Sequence, residues 1–161
     1  MTATKNTDSV PSNIPFFIQS LKPSQTESVW FQLTLAILRV GVGLLIIHNG
    51  LDKLADVQNF ADGVVSFIGF PYPIFFTYCA AYVEVVGAIL FALGLLTRLN
   101  AAALFITMLV AIYFHLKKDG LLVAPLETAS LYALCFLLFL VNGGGRFSID
   151  AGLFRRLTKA K

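Results

Sequence analysis

The sequence predicts an all-α protein, a bundle of four transmembrane helices with an amphipathic interfacial helix between the first and second spans. Three observations support this class. Of the 161 residues, 57% are hydrophobic and only 13% are charged, whereas about 25% of residues are charged in soluble domains. Apolar runs recur along the chain and approach the roughly 20 residues that cross a bilayer. The polar segments between these runs are too short to form a soluble domain.

The predicted spans are four apolar runs, at residues 29–47, 74–96, 101–116 and 126–141. The last two are short, but flanking residues such as Lys117 and Lys118 extend toward the interface and complete the span. The first run contains Arg39 and is followed by no small-residue cleavage pattern, which predicts a retained helix rather than a signal peptide. The tight link at 96–99 predicts that the second and third spans pack as an antiparallel hairpin.

The connection between the first two spans has a helical period of its own. Apolar residues recur at helical spacing across residues 57–68, and polar residues occupy the opposite face. Gly69, Pro71 and Pro73 then end the pattern. We expect a helix that lies on the membrane surface. A plain exposed loop is the alternative.

Three regions follow from this pattern. Residues 1–28 form a polar N-terminal tail, with a short apolar patch at 14–18 that either rests on the membrane surface or is disordered. Residues 29–152 form the membrane domain, and residues 153–161 form a basic C-terminal tail. Cys79 and Cys135 each lie inside an apolar run and form no C-x-x-C motif, so we interpret them as small buried hydrophobic residues.

Basic residues predict the orientation of the chain. An even number of spans places both termini on one side, and the positive-inside rule makes the side richer in lysine and arginine the cytoplasmic one. Both termini are therefore predicted to be cytoplasmic in a multi-pass inner-membrane protein. The net charge of +3 reflects this asymmetry, and no basic stripe with interleaved aromatic residues indicates nucleic-acid binding. The terminal side carries Lys5, Lys22, Arg98, Arg146, Arg155, Arg156, Lys159 and Lys161, and the other side carries Lys53, Lys117 and Lys118.

Arg39 is the one basic residue within a predicted span. It lies ten residues after Val29, about 15 Å along a helix. An arginine at the bilayer centre costs about 2.5–3.5 kcal/mol on insertion scales, so we expect it to face the bundle and to be paired. Glu84 lies ten residues after Ile74 on a helix of opposite direction and is the predicted partner. Such a pair either fixes the helix register or serves function. The Arg39 face also carries Gly43, Ile46, Gly50 and Lys53.

A second group of polar residues is predicted near the other membrane face. His48 ends the first span, His115 ends the third and Glu127 begins the fourth, so all three fall at one level beneath the predicted surface helix. Tyr78, about a turn into the second span, is a further candidate. These residue types relay protons, hold a quinone headgroup or ligate a metal. Histidines at an interface also serve as plain polar anchors.

We predict no metal site. The sequence has no H-E-x-x-H motif and no Glu-x-x-His pairs of the kind found in di-iron bundles. Bis-histidine haem ligation by His48 and His115 stays open on spacing alone.

At these positions the chain resembles the DoxX family, whose members are small four-helix bacterial membrane proteins. The similarity covers roughly residues 33–152 and is carried by an ordered set of motifs. The resemblance implies that residues 29–152 form a DoxX-like four-helix domain in a bacterial cytoplasmic membrane. It also implies an association with quinone-linked or thiol-linked redox systems, beside soluble or membrane partners. The motifs are HNGLDKL at 48–54, YVEVVGAILFALGLLTRLNAA at 82–102, His115 with the following Gly120, Glu127, and NGGGRFSID at 142–150.

The NGGGRFSID segment has a physical interpretation of its own. Three glycines after the last span allow the chain to leave the helix and lie close against the bundle. Arg146 and Asp150 are then predicted to pair at the membrane surface. Phosphate binding by a glycine-rich loop is the alternative, but no strand precedes the segment and no G-K-[ST] follows it.

The leading functional hypothesis is a DoxX-like, redox-associated accessory subunit of a larger membrane assembly, which binds a quinone at the group formed by His48, Tyr78, His115 and Glu127. No intrinsic cofactor is predicted, because the sequence has no flavin, haem or iron–sulfur motif, so electrons would come from a partner. Whether the chain is itself an enzyme stays open. The expected partners are membrane lipid and a protein, either in a larger complex or as a homo-oligomer. The alternatives are a non-catalytic scaffold protein and a small transporter or lipid-binding protein that uses Arg39 and Glu84.

Overall fold

The computed structural model describes residues 28–121 and 123–159 of the chain. The predicted N-terminal tail, with its apolar patch, therefore lies outside the described residues except for Ser28. Within the described ranges the chain is helical and contains no strand, which confirms the all-α class. The helices are α1 (Val29–Ala55), α2 (residues 57–68), α3 (Pro73–Leu93), α4 (Thr97–Asp119), α5 (Val123–Asn142) and α6 (Ile149–Lys159).

Four of these helices form the membrane bundle. The helices α1, α3 and α4 are long and apolar enough to cross a membrane, and residues Leu126–Asn142 of α5 form a shorter apolar helix. The helix α1 packs against α3, and α4 packs against α5. We call the end of the bundle with the turn at 94–96 and the loop at 143–148 the proximal end. The end with α2 and the turn at 120–121 is the distal end.

The helix α1 is longer than the sequence pattern predicts. We expected the first span to end at residue 47, but the helix continues to Ala55. The reason is Gly50, which looks like a helix-ending residue but serves as a contact with α3. A Cβ atom at this position would lie 2.7 Å from Val85 Cγ2 and 2.8 Å from the carbonyl oxygen of Ala81. Only glycine allows the two backbones to approach this closely, as at other small-residue helix contacts in membranes.

The helix α2 covers the distal end in three short pieces. Asp56 caps its first turn by accepting a hydrogen bond from the backbone N–H of Asn59 at 3.1 Å, and Gly69 ends it with a φ of +90°. The face that carries Ala61, Val65 and Ile68 is buried. The predicted helix at 57–68 is therefore present, and its location at the membrane surface stays a prediction. The pieces are Val57–Phe60, the π-helical turn Ala61–Val65 and Ser66–Ile68.

The bundle has an apolar core and an apolar outer surface. In the core, the ring of Phe91 packs edge-on against Phe136 and Phe139, with centroid distances of 5.3 and 5.0 Å. Large apolar side chains are also exposed along the outer faces, including Leu44 of α1 and Ile106 of α4. A soluble monomer rarely exposes so much contiguous apolar surface. These faces are suited to contact with lipid.

Candidate functional site

A cavity of about 790 Å³ lies between the helices α1 to α5. Its volume falls within the range of about 300–1,000 Å³ that is typical of sites for small molecules. The lining is mostly apolar. Two π-helical turns among the described residues contribute to it, through Val64 and Val65 of α2 and through Val83 and Glu84 of α3. Such π-helical turns are frequent at functional sites. The polar lining residues are Asn49, Lys53, Glu84, Thr107, His115, Thr128 and Tyr132.

The main polar feature of the cavity is an ion pair between Lys53 and Glu84. The Lys53 ammonium donates to Glu84 Oε2 at 2.5 Å and to the backbone carbonyl of Asn49 at 3.1 Å. It also lies 5.0 Å from the centroid of the Phe60 ring. The side chain of Glu84 is 1% exposed and that of Lys53 is 14% exposed. A carboxylate this deeply buried requires a charged partner, and Lys53 supplies it.

The pair still has hydrogen-bonding capacity toward the cavity. An ammonium has three N–H donors, and two of those of Lys53 are used by Glu84 and Asn49 among the described residues. Lys53 also lines the cavity, beside the Phe60 ring over which its ammonium lies. The arrangement places an ammonium and a neighbouring carboxylate within mostly apolar walls.

A second cavity of about 450 Å³ adjoins the first at the distal end. It is polar, with Asp52, Asp56, Asn59 and Lys118 in its lining, and it shares Lys53 with the apolar cavity. Lys53 therefore lies at the boundary between an apolar chamber and a polar one.

The predicted group of His48, Tyr78, His115 and Glu127 is not brought together at this cavity. Only His115 lines it, with Nδ1 at 3.4 Å from Asp119 Oδ2. His48 and Glu127 are exposed, and Tyr78 is exposed and stacks on Tyr82. Depth along a span predicts the level of a residue, whereas the rotation of its helix decides whether the side chain faces the cavity.

The predicted pairing of Arg39 with Glu84 is wrong. Arg39 donates to the backbone carbonyls of Ala92 at 3.2 Å, of Gly144, and of Phe147 at 2.8 Å. The sequence predicted that Arg39 lies near the centre of the bilayer. However, α1 begins well before the proximal turn, so Arg39 lies level with the end of α3. Arg39 joins α1, α3 and the loop at 143–148, and Glu84 is paired with Lys53 instead.

The predicted pair of Arg146 with Asp150 is also replaced by other contacts. The buried carboxylate of Asp150 accepts hydrogen bonds from the backbone N–H groups of Leu96 and Thr97 at 2.7 and 2.8 Å. Arg146 is exposed, and its backbone N–H donates to the side chain of Gln32 at 2.8 Å. The glycine-rich loop thus closes the proximal end of the bundle through backbone contacts.

Lys53 was not predicted as a site residue and was counted among the basic residues on the side opposite the termini. A signal was present, because Lys53 shares the helical face of Arg39, Gly43 and Gly50. The face was recognised, but the helix was ended at residue 47, six residues before Lys53. Extension of the helix through Gly50 would have brought the lysine into the bundle.

Comparison with known proteins shows the family to which the chain belongs. The family model of DoxX matches residues 34–116. An uncharacterized protein of Haemophilus influenzae is 34% identical over 127 residues, which cover 76% of this chain and 92% of that protein. An uncharacterized membrane protein of Mycobacterium tuberculosis is 33% identical over 135 residues, 75% of this chain and 82% of its own length. No solved structure matches the chain significantly. The chain belongs to the DoxX family.

Proposed function

We propose that this protein binds a membrane quinone in the apolar cavity and serves as a quinone-linked accessory subunit of a larger membrane assembly. One observation carries the proposal. A mostly apolar cavity of about 790 Å³ contains a buried ammonium–carboxylate pair in its wall. A quinone has a polar ring with two oxygen atoms and an apolar tail, and it matches both parts of this lining.

The chain's own residues would have distinct roles toward such a ligand. The Lys53 ammonium donates a hydrogen bond to a quinone carbonyl oxygen, and the carboxylate of Glu84 accepts one from a quinol hydroxyl group. His115, on the same cavity wall, offers a further donor or acceptor. Reduction of a quinone to a quinol consumes two electrons and two protons. Protons reach the pair through the polar cavity lined by Asp52 and Asp56.

The electrons require a partner. The sequence carries no flavin, haem or iron–sulfur motif, so a redox group of another protein must exchange electrons with the bound quinone. We therefore place the protein in an assembly in which it supplies the quinone site and its partner supplies the redox group.

The quinone content of the purified protein tests this proposal. We expect protein extracted gently from bacterial membranes to retain about one quinone per chain, measured by mass spectrometry of the organic extract and compared with co-purified phospholipid. Ala111→Phe places a ring in the cavity and should lower the retained quinone by about tenfold or more, since a filled cavity removes apolar contact area. Leu109→Phe, on the exposed face of the same helix, is the matched control and should retain the ligand.

Two other results would contradict the proposal, and each would support a different function. A fatty acid or phospholipid in the extract, displaced by Ala111→Phe but not by Leu109→Phe, would indicate the lipid-binding alternative. This alternative is favoured by the large apolar share of the lining, with Lys53 as the contact for an acidic headgroup. Folded protein with an empty cavity and a stable protein partner would indicate a scaffold function.

We further propose that the chain resides in the bacterial inner membrane with both termini in the cytoplasm, because the terminal side is richer in basic residues. The test uses a background that carries Cys79→Ser and Cys135→Ala. A new cysteine at Lys5 or Thr158 should resist an impermeant thiol reagent in intact cells, whereas Asp62→Cys in α2 should react. Labelling of either terminal cysteine, together with protection of Asp62→Cys, would show that the termini lie outside the cytoplasm.

A further inference from the structure

The helix α6 has three distinct faces. Successive residues are rotated by about 100° around a helix axis. The side chains of Asp150 and Ala151 are buried against the rest of the protein. Next to them, an exposed apolar stripe of Ile149, Leu153 and Leu157 covers an arc of about 80°.

The third face is basic. Arg155 and Arg156 are exposed and lie on the side of the axis away from Asp150. The stripe residues are 36–42% exposed. Both arginines are exposed, and Arg155 Nε donates to the backbone carbonyl of Ala151 within α6 at 3.2 Å. An exposed apolar stripe beside a basic face is the pattern of a helix that lies in a membrane interface.

The position of α6 in the fold agrees with this pattern. The backbone N–H of Asp150 donates to the carbonyl oxygen of Gly94 at 2.9 Å. The helix α6 therefore begins beside the turn that joins the membrane-spanning helices α3 and α4. At the same end, α1 continues past this level with Trp30 79% exposed. Tryptophan is enriched at membrane interfaces. The helix α6, with 11 residues, is too short and too charged to enter the hydrocarbon core.

We infer that α6 is an anionic-lipid-binding helix that lies in the membrane interface at the proximal end, with Ile149, Leu153 and Leu157 in the acyl-chain region and Arg155 and Arg156 at lipid phosphates. The occupant is the anionic phospholipid of the surrounding membrane, because the two guanidinium groups match phosphate in charge and geometry. Asp150 anchors the helix to the α3–α4 turn through Leu96 and Thr97. This inference is independent of the quinone proposal, since α6 contributes no residue to the cavity.

Spin labels on α6 test whether the apolar stripe faces the lipid. In the Cys79→Ser, Cys135→Ala background, full-length protein with a label at residue 153 or 155 is placed in vesicles of phosphatidylcholine with phosphatidylglycerol. The label at 153 should collide more with oxygen, which concentrates in lipid, and the label at 155 more with a water-soluble nickel chelate. Equal exposure of both labels to nickel would overturn the inference. Protection of residue 153 from both reagents would also overturn it, because a protein would then cover the stripe.

Lipid retention tests the basic face. Protein purified from mixed vesicles should retain phosphatidylglycerol over phosphatidylcholine, and each arginine near an anionic surface contributes about fivefold. Arg155→Gln with Arg156→Gln should therefore lower this preference by about tenfold or more. Arg155→Lys with Arg156→Lys keeps the positive charge and should retain most of the preference. Equal losses in the two double variants, or no loss in the first, would contradict the inference.

Discussion

Replacement of Lys53 by methionine should lower the free energy of unfolding by about 3–5 kcal/mol, because the carboxylate of Glu84 would remain buried without its charged partner. Glu84 is 1% exposed and its oxygen lies 2.5 Å from the Lys53 nitrogen. Glu84→Met should have an effect of similar size, since it leaves the ammonium of Lys53 unpaired. Reversible unfolding in mixed micelles, followed by circular dichroism, measures the change.

The double variant Lys53→Met with Glu84→Met should recover much of the lost stability, because two apolar side chains replace the buried charges. Lys118→Met is the control, since Lys118 is exposed on α4 and should cost less than about 1 kcal/mol. Losses at residues 53 and 84 that simply add in the double variant would show that the pair has no energetic coupling.

Replacement of Arg39 by methionine should cost about 3 kcal/mol or more, because the guanidinium group donates to three backbone carbonyls that join α1, α3 and the loop at 143–148. A hydrogen bond to a charged group contributes about 1.5–3 kcal/mol. Arg39 is 3% exposed, so water replaces few of these contacts. The same unfolding measurement gives the loss. The exposed Arg155→Met should change stability by less than about 0.5 kcal/mol.

A double-mutant cycle measures whether Arg39 and Glu84 are energetically coupled. The losses of Arg39→Met and Glu84→Met should add within about 0.5 kcal/mol, because the two residues share no partner. A coupling of several kcal/mol between residues 39 and 84 would support the direct pair that depth along the helices predicts. It would contradict the partners described above.

Residue periodicity predicted the helices more accurately than their side-chain partners. Apolar runs located all four helices of the bundle, and the helical spacing at 57–68 located α2. The three glycines at 143–145 predicted a loop after the last span, and Gly145 has a φ of +75° there. The tight link was predicted at 96–99, whereas the turn lies at 94–96, with Gly94 at a φ of +73°. Each of these features depends on neighbours in the sequence. Local patterns are therefore sufficient to predict them.

The candidate site was predicted only in part. Glu84 is a buried carboxylate that pairs with Lys53 instead of the predicted Arg39, and His115 lines the cavity. A ligand-binding role for His115 stays a prediction. Depth along a span does not distinguish these two basic residues, because it ignores where the helix begins relative to its neighbours. His48 and Tyr78 illustrate the same limit for rotation, since both have a suitable depth and an outward-facing side chain.

The sequence by itself determined that this chain is an all-α membrane protein of the DoxX family, because hydrophobicity and motif order are properties of the linear chain. The tertiary structure alone decided that Glu84 is paired with Lys53. The partner of Glu84 depends on the axial position of α1 relative to α3. The close contacts of Gly43 with Ala92 and of Gly50 with Ala81 fix this position. A shift of one helical turn, about 5.4 Å, would separate the lysine from the carboxylate. The identity of the pair is therefore a consequence of helix packing.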